Sequence, residues 1–293
     1  MRISVFISIL LLFSSCKTQS ESLKVEKSAF YIRTFHEALR HKMSGNYDRS
    51  LELFNQCLQE SPNDDASHFA IAQISLIQGN LELAKTHTIL AAQRDGDNLY
   101  YQIELGYMYR EMGEFEEGAA VFEKIILEHP SNPNYYFEAA ICWEKNGKLS
   151  KAIQVMNALE VSIGKNIEAT LKKHQWHKTE GELKEAEKEL TSYLEVDKWN
   201  QFIKATLVDF YLNTGQIKKG IEELKSLVDL DPSNGRGLLL LAQFEYENKD
   251  LNKATNYYSK ALLSENLNPE SVIEALHFFI YHKSPSTEQM VEE

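Results

Sequence analysis

A chain of 293 residues with 43% hydrophobic and 11% aromatic content has enough apolar side chain to bury a continuous core, and with only 6 prolines it is not an extended disordered polymer. Its net charge of −12, without any Lys/Arg block, argues against a nucleic-acid partner and fits a solvated surface that keeps a long protein in solution. Three cysteines, with Cys57 and Cys142 far apart and outside any CxxC spacing, exclude a disulfide framework and a thiolate metal centre.

The first sixteen residues form a separate object. Met1-Arg2 gives a positive start, and residues 3–13 are apolar apart from Ser4 and Ser8. The run is too short to span a bilayer, so residues 1–15 are expected to be a cleaved export signal. Phe13-Ser14-Ser15-Cys16 resembles a bacterial lipobox, although Phe13 stands where that pattern has Leu. The resemblance implies that Cys16 is the lipidated first residue of the mature chain and that residues 16–30 are a polar tether. Lys17, rather than Asp, follows the cysteine, so the implied location is the outer membrane, facing the periplasm or the cell exterior. The alternative is a plain secretory signal with an incidental cysteine, which would leave a soluble exported module.

Beyond the tether, glycine recurs every 34 residues at Gly45, Gly79, Gly113, Gly147, Gly181 and Gly215, and the next position in phase is Lys249. A fixed period of this length means stacked supersecondary units. With the glycine at position fifteen, the units run 31–64, 65–98, 99–132, 133–166, 167–200, 201–234 and 235–268. Position twenty is small throughout: Ser50, Ala84, Gly118, Ala152, Ala186, Gly220 and Ala254. Position eight is small in five of the seven, with His174 and Val208 as the exceptions. Two residues after each turn an apolar side chain opens a second helix, from Tyr47 to Leu251. A large residue such as Phe54, Phe122 or Tyr258 follows near its middle, and Pro62, Pro130 and Pro232 close units.

This register resembles the tetratricopeptide repeat (TPR), a helix–turn–helix unit. The resemblance implies an all-α, right-handed α-solenoid of about seven units over residues 31–268. After it, Pro269 starts one more apolar-faced stretch, 269–282, expected to be a capping helix, and 283–293 is expected to fray. A docking site built from Phe278 and Tyr281 is the other reading of that helix.

In the TPR family, positions two, five, nine and twelve of the first helices line a concave face. Here they include Phe35, Phe69, Gln73, Tyr100, Tyr107, Arg110, Phe137, Phe202, Gln243 and Tyr246. Rings with scattered Arg and Gln suit an extended peptide or a helix. The implied function is a non-catalytic scaffold or adaptor in the bacterial envelope, with other envelope proteins or peptides as partners, membrane contact through Cys16, and no small-molecule substrate or cofactor. No nucleophile elbow, phosphate-cradling glycine loop or HExxH occurs. The fifth unit departs from the pattern: Lys173 stands where an apolar residue belongs and His174 where a small one belongs. Its first helix is expected to be displaced or loosely packed, a joint or a docking point. His174 and His177, three apart, are the weak basis of a metal or enzyme reading.

Overall fold

In the computed structural model, which describes residues 27–264 and 267–282, every regular element is an α-helix. The export signal, Cys16, the tether up to residue 26 and the tail 283–293 lie outside the described residues. Two compact units are present, within Met1–Asp95 and Gly96–Glu293. The first holds the hairpins α1 (Ala29–Met43) with α2 (Tyr47–Glu60) and α3 (Asp65–Ile77) with α4 (Leu81–Arg94). The second holds α5 (Leu99–Glu111) with α6 (Phe115–Glu128), α7 (Pro133–Lys145) with α8 (Leu149–Ile163), and α9 (Ile167–Thr179) with α10 (Leu183–Val196). It continues with α11 (Gln201–Asn213) and α12 (Ile217–Leu230), α13 (Gly235–Glu247) and α14 (Leu251–Leu262), and ends with the single helix α15 (Pro269–His282). The fold is an all-α helical-repeat solenoid.

Local chemistry sets each first helix at both ends. Ser28 caps α1, its hydroxyl accepting from the Tyr31 N–H at 3.0 Å, and an Asx side chain caps the later ones: Asp64 accepts from the Ser67 N–H at 2.8 Å, Asn166 from Ala169 at 3.0 Å, Asn200 from Ile203 at 3.0 Å, and Asn234 from Gly237 at 2.9 Å. The end of each is closed by a paired backbone motif. In α5 the Gly113 N–H donates to the Arg110 carbonyl at 3.1 Å and the Glu114 N–H to the Tyr109 carbonyl at 2.8 Å. That motif needs a left-handed residue, and Gly113 has φ +77°. Lys249 takes the same conformation at φ 64°, the one non-glycine residue with positive φ among the described residues.

The small positions let the two helices of a hairpin cross closely. A Cβ on Gly106 would lie 2.7 Å from the Phe122 ring, so that buried ring fills the space a side chain would take. In the first unit Ala38, Leu53, Phe54, Ala70, Ile71 and Ile74 form the core. The second unit holds three clusters, around Phe122 and Met156, around Leu190, Ile203 and Leu207, and around Leu224, Leu241 and Phe279. Each such large side chain, fully buried, stabilises by about 1.5–3 kcal/mol relative to exposure. Helix α15 packs Ala275, Phe278 and Phe279 inward, with the Phe278 ring 4.4 Å from that of Tyr258. Phe278 is therefore core, which removes it from the expected docking pair; Tyr281 is 81% exposed. No helix among the described residues is long and apolar enough to cross a membrane.

The fifth unit corrects an expectation. Helix α9 is continuous and buries Ala169, Thr170, Lys173, His174, Trp176 and His177, so it is neither displaced nor short of a buried face. The misfitting residues are accommodated by pairing. His174 sits against the small Ala186: its Nδ1 is 2.9 Å from the Ala186 carbonyl, and its ring meets Phe210 edge-on at 5.3 Å. Lys173 is 1% exposed, and its ammonium lies 2.7 Å from Glu160 Oε2, 2.7 Å from Glu189 Oε2 and 2.9 Å from Asn157 Oδ1. A buried ammonium survives only with such partners.

Candidate peptide-binding face

Within the second unit the first helices α5, α7 and α9 lie side by side and form a groove of about 430 Å³ lined by Tyr107, Pro133, Asn134, Phe137, Glu138, Asn166 and Glu168. Pro133 occupies the first turn of α7, where a missing N–H costs nothing. This fixes the start of the helix one turn before Phe137. The Asn166 cap does the same for α9 and places Glu168 in its first turn, a favourable position for a carboxylate.

Arg110 ties α5 to α7. Its guanidinium pairs with Glu138, lies 3.5 Å from Glu111, and stacks over the Tyr107 ring at 4.9 Å. The Tyr107 ring in turn leans on Phe122 at 5.5 Å. Burial pushes the Tyr107 hydroxyl pKa up, and the Glu138 carboxylate adds to that shift. Tyr107 thus lines the groove, and Arg110 beside it holds α5 to α7 through Glu138. The result is a surface with two rings, two amides and two carboxylates arranged along a trough, suited to an extended segment with alternating side chains.

The other expected contact residues divide into three groups. Phe35, half-buried, stacks on Tyr31 at 5.7 Å and meets Phe54 edge-on at 5.5 Å, and Phe69 is 9% exposed; both pack within the first unit, away from this groove. Gln73 and Gln243 are spent on links between neighbouring first helices, Gln73 accepting from Lys42 and Gln243 donating to Glu274. Tyr100, Phe202 and Tyr246 remain exposed at 52%, 61% and 42%, and Tyr246 touches Phe278 and His282. The groove therefore gathers Tyr107 and Phe137 from the expected set, while Arg110 acts from beside it through Glu138. It adds Asn134 and Glu168, which occupy position two of their units, and Glu138 at position six. Attention to rings hid them, although the 34-residue register placed them.

No group of three or more His, Cys, Asp or Glu able to hold a metal occurs among the described residues. His174 and His177 do not converge: the first faces the Ala186 carbonyl and the second pairs through Nδ1 with Glu182 at 2.7 Å. Cys57 and Cys142 are buried and free, and burial pushes both thiols up to about 11, far from the reactive thiolate range.

Residues 103–166, which contain most of this groove, match the family model described as Tetratricopeptide repeat. The chain carries tetratricopeptide repeats. Among curated proteins, the transcriptional regulator HilA of Salmonella typhimurium is 26% identical over 152 residues, covering 48% of this chain and 27% of that protein. The chain thus spans about a quarter of the length of the curated relatives it matches. Among solved structures, the C-terminal part of a TPR repeat-containing protein from Cytophaga hutchinsonii is similar at TM-score 0.53 and 14% identity, over 83% of this chain and 99% of that one. The Naa15/Naa10 complex bound to HypK-THB is similar at TM-score 0.53 and 15% identity, over 89% of this chain and 44% of that one. At these identities the likeness shows the repeat fold.

Proposed function

We propose that this tetratricopeptide-repeat chain is a non-catalytic scaffold that holds a peptide segment of a partner protein on the α5–α7–α9 face. The observation that carries the reading is the groove itself, where three consecutive first helices converge two rings and several polar groups. The tetratricopeptide fold is in general a protein-interaction scaffold, and the similar Naa15/Naa10 structure is described as bound to HypK-THB. A photo-crosslinking residue in place of exposed Asn134 tests it. Crosslinks to a partner are expected from that site and not from Val161, which is 88% exposed on α8. Equal capture from both positions would sink the reading.

The same proposal places the chain in the bacterial envelope, anchored through lipid on Cys16 and recruiting other envelope proteins. It rests on the apolar run and the Ser14-Ser15-Cys16 sequence. Metabolic labelling with palmitate should mark the wild-type chain and not Cys16→Ala. An unlabelled wild type would leave a soluble exported module instead.

A further inference from the structure

The groove on the α5–α7–α9 face is acidic once its own ion pair is closed. Arg110 is committed to Glu138, Glu111 and the Tyr107 ring, so its charge is already spent. One lining carboxylate remains unpaired, and a second lies on α5 one turn before Tyr107. Glu168 is exposed on the rim in the first turn of α9. Glu104, half-buried on α5 one turn before Tyr107, adds a small part to the upward shift of the Tyr107 hydroxyl. Burial raises the pKa of Glu104, so desolvation outweighs any cation facing it.

We propose that this groove takes a cationic side chain, an arginine foremost, from an extended segment of the partner protein, with its charge answered by Glu168. This rests on the peptide-binding reading above and adds the chemistry of the partner. Charge complementarity decides among the candidate occupants. An acidic segment would meet the unspent Glu168 carboxylate. An uncharged apolar helix would bury Glu168 and Asn134 without giving them partners, which costs more than it returns. An arginine supplies donors to the Glu168 carboxylate and a flat face for the Phe137 ring, and lysine supplies only the charge. A volume of about 430 Å³ is in the range that holds one such side chain with its flanking backbone.

The test uses the full chain and two short fluorescein-labelled peptides of Gly and Ser, one with central arginines and one with glutamates in their place, read by anisotropy. The arginine peptide is expected to bind about tenfold or more tightly than the glutamate peptide, because the sign of the charge facing Glu168 is reversed. Raising salt from about 50 to about 300 mM should weaken it several-fold. Glu168→Gln should weaken it roughly two- to fivefold, and Glu168→Lys should reverse the preference toward the glutamate peptide. Circular dichroism on both variants controls for folding. Equal affinity for the two peptides, indifference to salt, indifference to both Glu168 variants, or no binding of either peptide would each overturn the inference. Crosslinking from position 134 reports separately on the face, so a partner captured there alongside peptide indifference would remove the charge preference and leave the binding face standing.

Discussion

Replacing Lys173 by Met asks whether the buried charge network of the fifth unit is a structural member. Methionine keeps an unbranched apolar stem of similar length, so the packing survives and the ammonium alone is lost. In the folded chain that ammonium contacts Glu160, Glu189 and Asn157 at 2.7, 2.7 and 2.9 Å. Removing one partner from a buried pair costs about 3–5 kcal/mol. Here Lys165 stays 2.9 Å from Glu160 and 4.0 Å from Glu189, so part of the compensation survives and the expected loss is about 2–3 kcal/mol. Urea unfolding followed by circular dichroism should show a lower midpoint. The loss also has a pH signature. Burial pushes the Glu160 carboxyl up, but the hydrogen bonds from Lys173 and Lys165 outweigh it and leave the group below its ordinary value. A depressed carboxyl pKa stabilises the fold above the unfolded value, about 4.3, and that stabilisation is lost as pH falls through the folded value. The deficit of Lys173→Met should therefore be full at neutral pH and shrink below about pH 4. A variant as stable as the wild type at neutral pH, or a deficit that does not change with acid, would refute the reasoning.

Lys249→Gly should stabilise the seventh hairpin by about 0.5–1 kcal/mol, because the left-handed conformation at φ 64° costs a side chain more than glycine loses in entropy. Thermal unfolding measures it, and an unchanged or lower midpoint counts against that account. In the first unit, the His68 Nε2–H donates to the Pro62 carbonyl at 3.1 Å, which leaves its Nδ1 to accept from the His87 Nδ1–H at 3.0 Å. Burial, with a smaller contribution from His68, pushes His87 down to about 4. A base whose folded pKa is depressed stabilises the fold above its unfolded value of about 6.5 and loses that contribution as pH falls from there toward 4. Because His87 is partly solvated, the loss is about 1–2 kcal/mol. His87→Leu should flatten stability against pH in that window, and an unchanged slope would mean other groups govern it.

The architecture was legible because its determinants are local. A glycine turn, a small residue and an apolar start recur at fixed offsets, and each acts within its own 34-residue stretch. A second series at the same spacing was equally readable and went unused: Asp64, Asn98, Asn132, Asn166, Asn200, Asn234 and Asn268, the caps that open the following helices. The Lys173 network was not legible, since its partners Asn157, Glu160 and Glu189 come from two other helices and only the assembled fold brings them together. Position alone likewise marked Phe69 as inward-facing, but could not separate a ring that lines an open groove from one that is buried.

The paired caps have a consequence for how such a chain can change. From α3 onward each first helix receives its start from the last residue of the preceding stretch and its stop from a turn within its own. Most of the instructions for one hairpin are therefore written within about one period, and stability is set by what each hairpin meets on either side. An insertion or deletion of one whole period keeps every cap and turn in phase, whereas a change of a few residues breaks two at once. Length in this protein is quantised: the chain can be edited in steps of 34 residues, and the cost of each step is decided at the two new junctions rather than along the whole molecule.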